Sequence, residues 1–278
     1  MQAASIQTSA VIATTGDAWS QLVAEGGLSA TAVFQAVLSA HIGRAVRDAH
    51  PAAQLINCCF PDLVNGMLVA MGLPVACGTG NIAILASAFQ GVLRAESGPE
   101  RPLHVLAHYQ VLGAWRRPAA ERSGPRPRVW IAGSEIADAY DRFNSVLLTP
   151  EPAIEVSGAA GVPLILAIAT GRTWSGHVPG PQGLPGGYPV RYHGGALSLD
   201  LPPGLTRDSA IAWNAQFEAA NGLVLDGTQA RYTGRLAELL AEIDPQLAAG
   251  FDLLELDEAA TAMQALRSHL ARRPARSR

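Results

Sequence analysis

The fold is decided by the stretch from Gln54 to Asn81, which reads QLINCCFPDLVNGMLVAMGLPVACGTGN. Two apolar segments in it, residues 54–59 and 73–77, lack the alternation of a half-exposed strand. Continuous apolar runs of this length are typical of parallel strands covered on both faces. A short helix connects them and ends at Gly72. The stretch therefore predicts a β–α–β unit with parallel strands.

Similar elements flank this unit on both sides. Residues 9–16 (SAVIATTG) predict an apolar strand with a turn at its end, and residues 29–50 have the apolar spacing of a helix that Pro51 ends. A helix over 82–95 and a strand over 103–112 are expected to follow. Right-handed crossovers place such a series in one parallel sheet. The predicted fold class is α/β, a partial doubly wound (Rossmann-like) parallel sheet followed by an α+β C-terminal domain.

The composition changes after this series, at a segment rich in Pro and Arg. We expect residues 1–115 to form an incomplete Rossmann-like dinucleotide-binding domain, 116–133 a linker, and 134–278 an α+β substrate or dimerisation domain. Gly194-Gly195, between two short apolar strands, is a strong hairpin signal. The other elements predicted in the last part are helices over 134–147, 157–170 and 206–221, a hairpin over 223–232 and two terminal helices.

Composition excludes several classes of function. The chain has 278 residues, a formal charge of −3 and no lysine, so neither Schiff-base catalysis nor a Walker-type phosphate loop is possible. Its three cysteines, of which Cys58 and Cys59 are adjacent in an apolar strand, favour a reducing cytoplasm over a disulfide framework. No apolar run has the length of a membrane span, and no signal peptide is recognisable. We expect a cytoplasmic protein that binds neither membrane nor nucleic acid.

The order of elements and motifs resembles the lactate/malate dehydrogenase superfamily, which includes the NAD-dependent family 4 glycoside hydrolases. Val11–Gly16 resembles the strand whose Thr-Ala-Gly end lies beside the nicotinamide ribose. Phe60-Pro61-Asp62 stands where the family has Asn-Pro, and Gly78-Thr79-Gly80-Asn81 resembles the turn before its catalytic helix. Gly187-Tyr188-Pro189-Val190 resembles a strand of the family's second domain. The resemblance extends over residues 9–115 and, more loosely, 176–220.

The resemblance implies an NAD(P)-dependent oxidoreductase that acts on a hydroxyl-bearing small metabolite. His108, expected on one strand face with His104, would be catalytic and exchange a proton with the substrate hydroxyl while hydride passes to NAD or NADP. The helix after Gly80 begins without the Asp and Arg that a simple 2-hydroxy acid requires, so a different substrate is expected. The other expected contacts are Thr14, Thr15, Gly16 and Asn57 with the cofactor, and Asn81, His177 and Asn65 with the substrate.

Two alternatives remain open. Cys77 and His108 stand where family 4 glycoside hydrolases hold a divalent metal, which implies an NAD- and metal-dependent glycosidase-like enzyme. Only a handful of residues precede the first strand, so the N-terminal G-x-G-x-x-G unit is expected to be absent, and a non-catalytic or truncated Rossmann-like binding or scaffold protein is the second alternative. The sheet edge exposed in this way predicts a homo-oligomer. Gly78–Ala83 itself matches the dinucleotide fingerprint G-x-G-x-x-A.

Overall fold

A computed structural model of the chain describes residues 16–97, 101–148 and 154–275, which have a mixed α/β fold. Among these residues, no helix combines the length and apolar character that crossing a membrane requires. The helices are α1 (Ala18–Gly26), α2 (Ala32–Ala49), α3 (Pro61–Ala70), α4 (Ile82–Ser97), α5 (Ala139–Arg142), α6 (Ile154–Thr170), α7 (Arg207–Asn221), α8 (Gly234–Ile243), α9 (Pro245–Ala248) and α10 (Leu256–Leu270). The strands are β1 (Leu55–Asn57), β2 (Val75–Gly78), β3 (Leu103–Leu106), β4 (Arg128–Ile131), β5 (Ser134–Glu135), β6 (Trp174–Pro179), β7 (Gly187–His193), β8 (Ala196–Leu199), β9 (Leu223–Asp226), β10 (Gln229–Tyr232) and β11 (Phe251–Asp252).

The described chain divides into two compact units. The terminal unit contains residues 16–75 and 216–275, and the central unit contains residues 76–215. The chain passes into the central unit within β2 and returns within α7. The segment predicted as a linker, 116–133, contains strand β4, which pairs with β3 inside the central unit.

The helices of the terminal unit bury their apolar faces together. Trp19 of α1 packs edge-on against Phe34 of α2, with ring centroids 6.1 Å apart, and both side chains are buried. Helix α1 begins after Asp17, whose carboxylate accepts the N–H of Ser20 at 2.7 Å. This bond satisfies one of the amide groups that a helix leaves open in its first turn. The predicted helix over 29–50 is confirmed as α2 and the 3₁₀ turn before it.

Two segments that are far apart in sequence pair in the terminal unit. Asp17 and Pro274 form an isolated antiparallel bridge. The N–H of Ala18 donates to the carbonyl of Arg273 at 3.0 Å, and the N–H of Ala275 donates to the carbonyl of Gly16 at 3.1 Å. These backbone bonds hold the start of α1 beside the segment that follows α10.

Strands β1 and β2 form a two-stranded parallel sheet, as the β–α–β pattern predicts. The predicted extension of this sheet by a strand over 103–112 is wrong. Strand β3 is shorter and pairs antiparallel with β4, which in turn pairs with β5. No full Rossmann-like sheet exists among the described residues, and the strand predicted before Gly16 lies outside them. The apolar sequence of a strand does not show whether it pairs parallel or antiparallel. Its partner β4 is separated from β3 by the Pro/Arg-rich segment, so the pairing could not be recognised from neighbouring residues.

The central unit contains a second antiparallel sheet in the order β6–β7–β8. The hairpin predicted at Gly194-Gly195 is confirmed, since these glycines connect β7 and β8. The two sheets of the unit meet where Ala107 and Gly187 exchange both backbone hydrogen bonds. The helix predicted over 134–147 is wrong, because β5 and the one-turn helix α5 occupy that part of the chain.

A tight contact between β10 and the turn before β11 is possible only with glycine. Gly250 has φ +95°, and a Cβ atom there would lie 2.0 Å from the carbonyl oxygen of Ala230. Gly227, in the β9–β10 turn, also has positive φ but no atom within 4 Å of such a Cβ. An alanine at Gly227 would therefore add backbone strain alone, whereas an alanine at Gly250 would add both backbone strain and steric overlap.

We expect Gly227→Ala to cost about 1 kcal/mol of unfolding free energy, the usual cost of a left-handed alanine. Gly250→Ala is expected to cost at least about 2 kcal/mol more, because the new methyl group overlaps a backbone carbonyl. Urea denaturation of both variants measures the difference. Equal losses in the two variants would contradict the close approach at Gly250.

Candidate functional site

The central unit contains a cavity of about 620 Å³ between α4, α6, β3 and β6. Its volume lies in the range of small-molecule sites in proteins. Pro163 and Trp174 contribute apolar surface to its wall. The polar and charged side chains that line it include Gln90 and Arg94 of α4, Arg101 before β3, His104 of β3, His177 of β6 and Asp200 after β8.

His177 accepts a backbone hydrogen bond that the pairing of β3 with β7 leaves open. The paired residues Ala107 and Gly187 place Val105 opposite Pro189 in the same antiparallel register. Pro189 has no N–H, and its carbonyl already accepts the N–H of Asp200 at 3.0 Å. The N–H of Val105 therefore donates to Nε2 of His177 instead, at 2.9 Å. An imidazole replaces the missing backbone acceptor.

The hydrogen bond from Val105 also determines the protonation state of His177. Because Nε2 accepts a backbone N–H, the ring proton must be on Nδ1, which makes the ring a donor through that atom. Burial, and then the neighbouring His104, lower the pKa of His177 to about 3. His177 is therefore a neutral imidazole with one N–H to offer at any physiological pH.

His104 has a different environment in the same cavity. Its Nε2 lies 3.9 Å from a carboxylate oxygen of Asp200, which is 40% exposed, whereas the His104 side chain is 18% exposed. Its Nδ1 is buried and has no hydrogen-bond partner among the described residues. The negative charge of the carboxylate favours the tautomer with its proton on Nε2, and in that tautomer Nδ1 has a lone pair. His104 can therefore accept a proton from a bound molecule.

Helix α4 contributes a polar edge to the cavity. Ala83, Ala86, Ser87, Gln90 and Arg94 line it at the spacing of one helix face. The Gln90 Nε2 atom is buried without a hydrogen-bond partner among the described residues. Gln90 and Arg94 are one turn apart, so their side chains can reach the same ligand group.

The residues predicted to contact the cofactor lie in the terminal unit or outside the described chain. Thr14 and Thr15 are among the residues that the structure does not describe, and Gly16 is exposed with φ +55°. Asn57 is fully buried, and its side-chain amide bonds Cys59 and Asn65 at 2.9 Å each. Its Oδ1 accepts the N–H of Cys59 at 2.9 Å. Asn65 was predicted to contact the substrate. Its hydrogen bond with Asn57 instead stabilises the turn that precedes α3.

His108 and Cys77 are both fully buried in the central unit. His108 does not lie on β3; it caps the 3₁₀ helix Tyr109–Arg116, with Nδ1 accepting the N–H of Gln110 at 3.3 Å. Its ring also contacts Tyr109, with centroids 4.6 Å apart. Within the described residues, no group of three or more His, Cys, Asp or Glu side chains is placed to hold a metal ion. The proton-transfer role predicted for His108 and the metal predicted at Cys77 and His108 stay predictions.

The Gly78–Gly80 turn does not fit a dinucleotide pyrophosphate. Its three residues are buried, and a Cβ atom on Gly161 of α6 would lie 2.6 Å from Cγ2 of Thr79. Helix α6 therefore packs directly on the turn, where the fingerprint needs open backbone amides at a helix N-terminus. Asn81, predicted to bind substrate, has φ +43° at the start of α4 and is not among the residues that line the cavity.

Of the predicted site residues that the structure describes, only His177 lines the cavity. The Gly/Pro-rich surroundings of His177 were the signal for it. Asp200 and Gln90 were missed, because an Asp after a hairpin strand and a Gln in a helix are both common on solvated surfaces. No protein family, curated protein or solved structure gives a significant match to this chain. The site must therefore be interpreted from its own geometry.

The pKa of His177 makes a stability prediction with a definite sign. The folded protein keeps this imidazole neutral down to about pH 3, whereas the unfolded chain protonates it near pH 6.5. Between these values the unfolded state binds more protons, so the contribution of His177 is complete above pH 6.5 and is lost as the pH falls. We expect His177→Gln to reduce the acid sensitivity of the unfolding free energy by up to ~1.4 kcal/mol per pH unit in that window.

Urea denaturation at several pH values between 7 and 4 would measure this slope, with His50→Gln, at an exposed position, as the matched control. The control should keep the wild-type slope. If His177→Gln also keeps it, the imidazole is not held neutral in the folded protein.

Proposed function

We propose that this chain is an acid–base enzyme that abstracts a proton next to the carbonyl group of a small metabolite, and that the cavity of the central unit is its active site. The observation that carries the proposal is the buried Nδ1 of His104, a basic nitrogen without a partner among the described residues, in a cavity of metabolite size. Leaving a buried polar atom unpaired costs about 1–3 kcal/mol, which a bound substrate would offset.

Three side chains have complementary roles in this proposal. Nδ1 of His104 takes the proton from carbon as the C–H bond breaks, and its Nε2–H, directed at Asp200, keeps the ring oriented. The electron pair of that bond moves to the carbonyl oxygen, which becomes an enolate. The Nδ1–H of neutral His177 donates to this oxygen. Return of the proton from His104 to the other end of the enolate, or to the same carbon, completes the cycle.

A second candidate is an NAD(P)-dependent oxidoreductase related to malate and lactate dehydrogenases. The parallel pair β1–β2 with α3 between them, in the predicted order, favours it. NAD(P) would supply the hydride acceptor. The described residues do not fit its pyrophosphate at the Gly78–Gly80 turn, so no step is assigned to it. Such an enzyme would act on a hydroxyl-bearing metabolite other than a simple 2-hydroxy acid, and homo-oligomerisation belongs to this proposal.

Deuterium exchange tests the first candidate without any cofactor. In D₂O, the protein should accelerate deuterium incorporation next to the carbonyl of at least one of pyruvate, 2-oxoglutarate and dihydroxyacetone phosphate, as followed by NMR. His104→Gln should lose about 10²- to 10⁴-fold of that rate, the usual contribution of a positioned base. His193→Gln, a change in an exposed histidine of β7, should keep it. The proposal fails if the three compounds exchange at the uncatalysed rate or if His104→Gln matches wild type.

Titration with NADH and NADPH, followed by nucleotide fluorescence, tests the second candidate. We expect no saturable binding up to about millimolar nucleotide, the upper range of ordinary enzyme affinities, because α6 covers the Gly78–Gly80 turn. Gly161→Ala should leave that result unchanged. Saturable micromolar binding would instead support the oxidoreductase and place the dinucleotide at another part of the chain. A null result leaves a non-catalytic binding protein as the remaining alternative if deuterium exchange is absent as well.

A further inference from the structure

Gln90 of α4 contributes a hydrogen-bond donor to the cavity that the proton transfer at His104 does not use. Gln90 lines the cavity, and its Nε2 group is buried without a hydrogen-bond partner among the described residues. A side-chain amide nitrogen has N–H groups and no lone pair to offer, so only an acceptor can satisfy it. A ligand that fills the cavity should therefore present an acceptor to Gln90.

Pro163 leaves a backbone acceptor open on helix α6. It stands in the interior of that helix, and both Pro163 and Ala159, four residues earlier, line the cavity. In a regular α-helix the carbonyl of residue 159 accepts the N–H of residue 163. Proline has no N–H, and its ring crowds that carbonyl. Helix α6 therefore cannot give the carbonyl of Ala159 its usual donor.

The two groups require opposite partners in the same cavity. Gln90 Nε2 requires an acceptor, whereas the carbonyl of Ala159 requires a donor. A ketone, a carboxylate or a fully ionised phosphate offers acceptors alone, and an ammonium group offers donors alone. An uncharged carboxamide or hydroxyl group offers both. The pair of groups therefore favours a ligand with one of these two functional groups.

We infer that Gln90 and the carbonyl of Ala159 form a subsite for an uncharged group of the substrate that both donates and accepts hydrogen bonds, a carboxamide or a hydroxyl. This inference rests on the proposed function, because it names the substrate class of the same cavity. The substrate is a carbonyl compound that carries this second group besides the C–H bond that His104 breaks. A site that bonds an N–H or O–H of its substrate discriminates strongly against analogues that lack it.

Two pairs of small probes test the subsite, with dissociation constants for the full chain measured by ligand-observed NMR titration. 2-Pentanone is butanamide with a methyl group in place of the NH₂ group, and 1-fluorobutane is 1-butanol with fluorine in place of the hydroxyl group. In each pair the second compound lacks the donor that Ala159 requires. We expect the first compound of at least one pair to bind about fivefold more tightly or better, the effect of one hydrogen bond.

The pair that shows the preference distinguishes the two groups. A preference for butanamide identifies a carboxamide, and a preference for 1-butanol identifies a hydroxyl. Equal affinities within both pairs would overturn the inference, because the cavity would then bind the probes by their apolar parts alone.

Pro163→Ala supplies the missing N–H inside α6 and so removes the open acceptor. We expect the preference within the selective pair to fall to about one, while the melting temperature does not fall, because alanine suits a helix interior better than proline. The lost proline ring affects both probes of a pair alike. Pro245→Ala, at the exposed first residue of α9, is the matched control and should keep the preference. A preference that persists in Pro163→Ala overturns the inference.

Gln90→Met removes the donor and keeps a flexible side chain of similar length. It should weaken binding of the preferred probe about fivefold or more, whereas Gln246→Met, at an exposed position of α9, should have no effect. Unchanged binding in Gln90→Met would exclude Gln90 from the subsite and overturn the inference. Selective binding without catalysed deuterium exchange would refute the proposed enzyme activity but keep the subsite, and exchange without selectivity would do the reverse.

Discussion

The carbonyl of Pro189, which already accepts the N–H of Asp200, is the constraint on which the cavity of the central unit depends. Because that carbonyl is bonded to Asp200, the pairing of Ala107 with Gly187 does not continue to Val105 and Pro189. A buried amide at Val105 would then lack an acceptor, which in a protein interior costs more than a typical hydrogen bond contributes. The imidazole of His177 fills the position. The side chain of His177 on β6 thus bonds the backbone of β3, and it lines the cavity.

The same arrangement explains why two histidines in one cavity have different chemistry. Nε2 of His177 accepts the backbone N–H of Val105, so the ring proton is on Nδ1. His104 is adjacent to a carboxylate and keeps a lone pair that no described residue uses. The cavity therefore contains one imidazole that donates through Nδ1 and a second whose Nδ1 has no partner among the described residues. The two histidines therefore differ because of the groups around them and not because of their residue type.

Local patterns in the sequence predicted the elements whose causes are local. Gly194-Gly195 predicts a hairpin because only glycine-type residues tolerate the two positive φ angles, and α2 follows from apolar spacing with Pro51 behind it. The direction of β3 could not be predicted, since its partner β4 lies more than twenty residues later, beyond a segment that composition alone marks as a loop. The site depends on the same non-local pairings. His177 stood out in a Gly/Pro-rich loop, but nothing near Asp200 or Gln90 in the sequence indicates that they share a cavity with it.

The pairing of residues 16–18 with residues 273–275 has a consequence for the order of folding. The terminal unit is made of two segments separated by the whole of the central unit, so its native contacts need the chain on both sides of residues 76–215. The central unit is continuous in sequence, and its contacts close shorter loops. During synthesis the central unit can form its sheets and cavity before α8 and α10 are available to pack with helices α1 to α3. The unit that contains the cavity is thus the unit that can fold first.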